Sequence, residues 1–260
     1  MKDWISRLFI ERSDLFLILL NQRWTRTEGL VAGMIRLLET YGKKSGDLLD
    51  LCCGNGRISV FMAKRGFNAL GVDISEAFLK DGSRKAQEHG VSDRVTFLKG
   101  DVRKLEQIVQ KNQPFDVVTS AWTSIGYYSP DEDLNVFKQA RHLSREGAVL
   151  FITETMHTEY LSIKFAPTSY SEIDDLVLLE DIQYDPVSAC ANTSWTFYAK
   201  RGKNLEFIDK VDFENHVYSA SELSSLLRKA GWRTTALYGN IETLQPMSPL
   251  TSMNLVARAE

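Results

Sequence analysis

The sequence predicts an α/β fold, a mostly parallel sheet with helices on both faces. Three observations carry the prediction. Residues 48–57 read as a buried strand ending in an acid, a tight glycine loop and a helix start. From 47 to 154, strand and helix patterns alternate, which is the rhythm of parallel strands joined by helical crossovers. Residues 155–215 then break that rhythm with strand patterns alone, the mark of an antiparallel insertion.

Taken in order, residues 3–42 read as two helices, with Trp24, Leu30, Met34, Leu37, Leu38 and Tyr41 at helical spacing. The loop at 42–46 stops the second. The first strand ends at Asp50, and its helix starts near Arg57 and carries Phe61, Met62 and Ala63. A second strand, 68–73, ends in Asp73, and Phe78 and Leu79 belong to its helix. A third, 94–101, ends in Asp101, with Leu105, Ile108 and Val109 in the helix beyond. A fourth, 114–122, runs into an aromatic loop, and Asp131, Glu132 and Asp133 open the next helix, where acids suit the positive helix end. The fifth strand is 147–153.

Within the insertion, 176–182, 193–199 and 205–213 read as strands, with a hairpin turn at 201–204. It carries eleven Asp and Glu against five Lys and Arg, and the aromatics Tyr160, Phe165, Tyr170, Trp195 and Tyr198. The acids are expected to face water and most aromatics to form the small sheet's core. The surface suits a neutral or cationic small substrate. Ser219, with Glu222 three residues on, predicts a capping box for a helix over 219–230. A closing strand pair, 232–238 and 253–257, follows.

Composition narrows the function. The chain has 260 residues, 43 % hydrophobic and 25 % charged, with a net charge of −3. That is ordinary for a globular protein and argues against a large nucleic-acid footprint, which needs clustered Lys and Arg. Cys52, Cys53 and Cys190 show no C-x-x-C spacing, so no metal site is expected. The apolar run 15–20 is far shorter than the ~20 residues needed to span a bilayer. It reads as a core helix or a cover over a ligand, in a cytoplasmic protein without a membrane partner.

The loop decides the ligand class. Gly54 and Gly56 let the backbone bend sharply and come close to a ligand. A dinucleotide fingerprint would carry a third glycine where Ser59 stands, and would not set Asp50 beside a pyrophosphate. An acid there suits an amino group or a sulfonium. Asp73, 17 residues after Gly56, can accept both ribose hydroxyls, and Asp101 can accept from an adenine amine. Open α/β sheets bind ligands at this carboxyl edge.

These residues resemble those of the class I S-adenosylmethionine-dependent methyltransferases. The matching motifs are Asp-Leu-Cys-Cys-Gly-Asn-Gly at 50–56, Gly-Val-Asp-Ile-Ser at 71–75, Gly-Asp-Val at 100–102 and Phe-Asp-Val-Val at 115–118. The segments 123–128 and 238–240 resemble a bacterial and archaeal branch acting on small molecules. Cys52 stands where the usual run has its first glycine. The resemblance implies a Rossmann-like, seven-stranded sheet of order 3-2-1-4-5-7-6 with the last strand antiparallel. It implies an N-terminal helical cover over 1–45, a cofactor-binding domain over 46–154 and 216–260, and a β-rich insertion over 155–215 acting as substrate lid. The implied cofactor is S-adenosyl-L-methionine, with S-adenosyl-L-homocysteine as product. Its implied contacts are Trp24 (with Arg23 closing the site), Asp50, Cys52, Gly54, Asn55, Gly56, Asp73, Ile74, Asp101, Val102, Ala121 and Trp122.

Methyl transfer from a sulfonium needs positioning, exclusion of water and, for a protonated nucleophile, a base. Tyr127, Tyr128, Glu154, His157 and His216 are the candidates, with His157 and Tyr128 foremost. The Asn- or Asp-Pro-Pro-Tyr run of related enzymes acting on exocyclic amines is replaced by 120–123, Ser-Ala-Trp-Thr. An oxygen, simple amine or carbon acceptor stays open, in a monomer or homodimer. Competing readings are a cofactor binder without turnover, an RNA methyltransferase, and a nicotinamide-dependent oxidoreductase, against which Asp50, Ser59 and Asp101 count.

Overall fold

Alternation of apolar runs with amphipathic segments yields the expected strand–helix units in the computed structural model, which describes residues 2–110, 114–163 and 166–260. The chain opens with α1 (Asp3–Ser6), a π-helical turn (Arg7–Glu11) and the long α2 (Ser13–Thr40). There follow β1 (Gly46–Leu51), α3 (Arg57–Lys64), β2 (Phe67–Asp73), α4 (Glu76–Glu88) and β3 (Val95–Lys99). A short turn leads to α5 (Leu105–Ile108), then come β4 (Phe115–Ala121), α6 (Pro130–His142) and β5 (Ser144–Thr155). The insertion holds α7 (Thr158–Ile163), β6 (Thr168–Ile173), β7 (Leu176–Asp185), β8 (Cys190–Arg201) and β9 (Asn204–His216). The end is α8 (Ala220–Lys229), β10 (Trp232–Asn240), β11 (Gln245–Pro246) and β12 (Met253–Ala259).

Among the described residues the main sheet runs β3-β2-β1-β4-β5-β12-β10-β11. Strands β1 to β5 are parallel, and β12 lies antiparallel between β5 and β10. This is the expected order with one addition. The seven-stranded expectation is corrected to eight because Gln245 and Pro246 pair with the outer side of β10. Proline lacks a ladder donor, so an edge is where it fits.

Helices cover both faces. On one, Val136 and Phe137 of α6 and Leu223, Leu226 and Leu227 of α8 pack with Trp232 on the sheet. On the other, Met34, Leu37 and Leu38 of α2 meet Phe61 and Met62 of α3. A third core joins Ile5, Phe9, Phe16 and Leu20 to Leu178, Phe197 and Val211 of the small sheet β6-β7-β8-β9. The N-terminal segment and the insertion thus close over the carboxyl edge together.

Two local readings are corrected. The complete capping box is at α6, where Ser129 accepts from the Glu132 N–H at 3.3 Å and the Glu132 carboxylate accepts from the Ser129 N–H at 3.1 Å. At α8, Ser219 caps the Glu222 N–H at 3.1 Å, but the Glu222 carboxylate pairs with His216 at 2.9 Å instead of closing the box. Strand β6 was not expected, because nearly all its residues are exposed and no apolar alternation marks it. Phe165 lies outside the described residues. Tyr170 is exposed rather than in the small core, while Trp195 and Tyr160 turn inward.

Candidate functional site

Strand β1 delivers the chain into a turn at Cys52 with φ +50°, and Gly54 and Gly56 follow at +55° and +70°. Asp73, at the end of β2, ties the turn down. Its two oxygens accept from the N–H groups of Gly54 at 2.9 Å and Ser75 at 2.8 Å. Burial raises its carboxyl to about 6, against the pull of those hydrogen bonds. Asp50 is fully buried and accepts from the hydroxyls of Ser59 and Thr119, both at 2.7 Å. Burial raises its pKa too. Ser59, the departure from the dinucleotide pattern, is therefore the donor that holds Asp50.

A cleft lies over this edge. Its walls include Asp50, Cys52, Gly54, Asp73, Ile74, Asp101, Val102, Ala121, Trp122 and Tyr128, all expected there. Asp101 carries Arg103 on both oxygens, at 2.7 and 3.1 Å, and the paired guanidinium sits 3.9 Å over the Tyr128 ring. The pairing holds the Asp101 carboxyl below the usual carboxylate range against its partial burial.

Three expected contacts are elsewhere. Trp24 lies on the far side of α2, with Phe61 at 5.4 Å, stacked on His89 at 5.6 Å and under the Lys85 ammonium at 4.3 Å. Helical phase explains this: Phe16 and Leu20, four apart, face the cleft, and Trp24 is rotated towards α3 and α4. The Asn55 side chain points away, donating to Asn21 at 3.0 Å and Asp81 at 3.2 Å. Gly56 makes room for protein rather than ligand, since a Cβ there would fall 2.3 Å from the Phe97 ring.

A second, larger cavity of about 630 Å³ lies under the insertion. Phe9, Phe16, Trp122 and Tyr127 line both spaces and form the partition between them. At the same boundary Glu154 accepts from Arg23 at 3.2 Å and from the buried Arg57, while Arg23 lies 4.0 Å over Trp122. Burial lowers the Arg23 pKa to about 10 despite Glu154. Backbone strain gathers here. Cys52, Trp122, Thr123 and Glu154, at the ends of β1, β4 and β5, all have positive φ without being glycine, and such residues cluster at functional sites.

The proposed bases fare differently. His157 lines the second cavity, but Nε2 lies 2.7 Å from the Thr251 carbonyl and Nδ1 3.0 Å from Glu159. The carbonyl must receive a proton from Nε2, and the Nδ1 lone pair is met by the Tyr160 N–H at 3.4 Å, so both nitrogens are engaged within the protein. The imidazole expected as the base is thus held by the protein on both sides. Burial raises the Tyr128 pKa to about 12 and pushes Tyr127 up further, which disfavours the phenolate form of both. His216 pairs with Glu222 and lines neither space, and Glu154 is clamped between two guanidiniums.

The sequence reading missed Phe9, Phe78 and Arg57 as cleft walls, while Phe16 and Leu20 belong to the run 15–20 read as a core helix or a cover. One signal was available for Arg57. A cation at the first position of a helix opposes the helix dipole, which asks for a special partner, here Glu154. Among the described residues no cluster of metal-binding side chains is found, and no helix is long and apolar enough to cross a membrane.

Residues 48–147 match the profile of a methyltransferase domain. The chain is 27 % identical over 213 residues to the Bacillus subtilis (strain 168) protein named "Putative methyltransferase YqeM", covering 78 % of this chain and 80 % of that one. The CcbJ methyltransferase from Streptomyces caelestis has a similar fold, with TM-score 0.72 at 19 % identity over 90 % of this chain and 89 % of that one. The sugar N-methyltransferase KedS8 from Streptoalloteichus sp ATCC 53650 gives 0.68 at 16 % identity, over 95 % and 92 %. With the sheet order and the acid-ended glycine loop already in place, these matches show a methyltransferase domain over residues 48–147, on the fold shared by the S-adenosylmethionine-dependent methyltransferases.

Proposed function

We propose that the protein methylates a small molecule seated under the insertion sheet, with the cofactor in the adjoining cleft. The observation that carries this reading is the shared wall of Phe9, Phe16, Trp122 and Tyr127 between the two spaces. A donor in one and an acceptor in the other meet there, away from bulk water.

The donor set suits the cofactor. Asp73 carries no cation among the described residues, and each of its oxygens keeps a second lone pair for a ribose hydroxyl. Ile74, Val102 and Asp101 bound the nucleoside end, where Asp101 meets the adenine amine with the acceptor capacity Arg103 leaves. Gly54 and Cys52 give the backbone its close approach, and Asp50 fixes the loop. Arg57, which lines the cleft, faces the amino-acid end, whose carboxylate suits a guanidinium. When bound, S-adenosylmethionine supplies an activated methyl on cationic sulfur. Ala121, Trp122 and the other aromatic walls then exclude water from the transfer.

The size of the second cavity favours a small molecule over RNA, as does the net charge of −3. The name of KedS8 points the same way. Calorimetry with S-adenosylhomocysteine and transfer of labelled methyl into a metabolite extract test the reading. Binding of the product together with label in a small molecule is the expected outcome. Binding without transfer would favour a cofactor binder, label in RNA would favour the nucleic-acid reading, and tight NAD binding in its place would overturn both.

A further inference from the structure

The second cavity is built from a particular mixture of side chains. Its aromatic faces come from three directions: Trp4 and Phe9 from the N-terminal segment, Trp122 and Tyr127 from the loop after β4, and Trp195 and Phe213 from the small sheet. Trp195 stacks on Phe16 at 6.0 Å with 20° between planes and meets Phe213 edge-on at 5.2 Å. These rings form one continuous lining rather than scattered contacts.

The charges of that lining are unbalanced. Arg23 and Glu154 line it and pair with each other. Glu180 also lines it, on the inward-facing side of β7 with Leu178 and Ile182. Its Oε2 accepts from Trp195 Nε1 at 2.7 Å and its Oε1 from Ser169 Oγ at 3.3 Å. Among the described residues no cation pairs with it. Two neutral donors orient the carboxylate and leave its charge uncompensated, beside rings whose faces attract cations. A carboxylate in such a setting favours a positive guest and opposes an anionic one.

We propose that the acceptor is an amine, carried on a molecule with an apolar or ring face, and that Glu180 is its anchoring carboxylate. This deepens the small-molecule reading and rests on it. Bound as an ammonium against Glu180, the amine gives up one proton to that carboxylate. Its freed lone pair forms the new N–C bond as the S–C bond breaks and the sulfur leaves as a neutral thioether. The methylated nitrogen carries the positive charge that the sulfur lost. No oxidant or metal is needed.

The test is binding to the whole protein saturated with S-adenosylhomocysteine. The probes are a matched series on one ring: para-methoxyphenethylamine, the corresponding alcohol and para-methoxyphenylacetate, followed by calorimetry and by tryptophan fluorescence. The amine is expected to bind, and the alcohol and carboxylate to bind at least about tenfold more weakly, the scale of a charge-assisted hydrogen bond. Glu180→Gln is expected to lower amine affinity by about tenfold and leave both alcohol binding and S-adenosylhomocysteine binding unchanged. The last readout also reports that the variant is folded, and Glu180→Asp is expected to restore part of the amine preference. Equal or better binding of the alcohol or the carboxylate, no binding of the amine at millimolar concentration, or an unchanged amine affinity in Glu180→Gln would each overturn the assignment. Failure of S-adenosylhomocysteine itself to bind would instead strike the cofactor reading.

Discussion

Asp73 shows how one carboxylate couples the loop, the pH and the ligand. Burial raises its pKa to about 6, above the ordinary value near 3.9. A raised acid costs stability once the unfolded chain ionises and the folded one must follow. Apo-protein stability from this group therefore falls as pH rises from about 4 to about 6, by an order of 2–3 kcal/mol. Ribose hydroxyls donate to the ionised form, so affinity for S-adenosylhomocysteine should rise as pH rises through about 6. Calorimetry across that range checks the sign. Asp73→Asn should weaken binding by about 1–3 kcal/mol at neutral pH and flatten the profile. An unchanged affinity would mean the ribose sits elsewhere. His157 gives the converse case. With both nitrogens engaged, His157→Gln should lower unfolding free energy by about 1–3 kcal/mol and leave the pH dependence of turnover unchanged. Loss of turnover by orders of magnitude with an unchanged melting temperature would restore it as the base.

At the scale of elements, the approach of α3 to β3 depends on a missing side chain. Gly56 starts α3 at φ +70°, and its Cα faces the Phe97 ring. Gly56→Ala must accept both the left-handed backbone and a Cβ 2.3 Å from Phe97. We expect it to lose more than about 2 kcal/mol in urea unfolding. Adding Phe97→Leu should recover the packing share of that loss and not the backbone share. A neutral Gly56→Ala would mean α3 can shift, and that the glycine serves the ligand after all. The glycines were legible in the sequence, but their tasks differ. Gly54 lies along the cleft and Gly56 behind it, because two residues' advance along the turn changes which side faces β3.

Across the whole molecule, the cleft is closed by segments far apart in the chain. Arg7 and Arg12 reach from the N-terminal segment to Asp209 of β9, at 2.5 and 2.6 Å. These pairs sit at the rim of the apolar core shared by the cover and the small sheet. Their guanidiniums hold the Asp209 carboxyl below the usual carboxylate range, against its burial. Asp209→Asn should loosen the cover. We expect faster amide exchange over Asp3–Glu11 and faster release of S-adenosylhomocysteine, by a few-fold, since partly exposed pairs contribute about 1 kcal/mol or less. Unchanged exchange would show that the apolar core alone holds the cover shut.

The order of the main sheet, the three acid-ended strands and the donor class were all legible in the chain. They rest on local rules: an apolar run makes a buried strand, glycine permits the turn, and an acid at a strand's end meets whatever lies over the edge. Strand β6, the facing of Trp24 and Asn55, and the contacts that hold His157 were not legible. Each depends on a partner distant in sequence: β7 for β6, α3 and α4 for Trp24, α2 for Asn55 through Asn21, and the Thr251 carbonyl for His157. Likewise Glu180 and Trp195 read as ordinary strand residues until the small sheet folds over the N-terminal segment. Period and turn chemistry decide which elements form, but the line of sight of a side chain is decided only when elements pack.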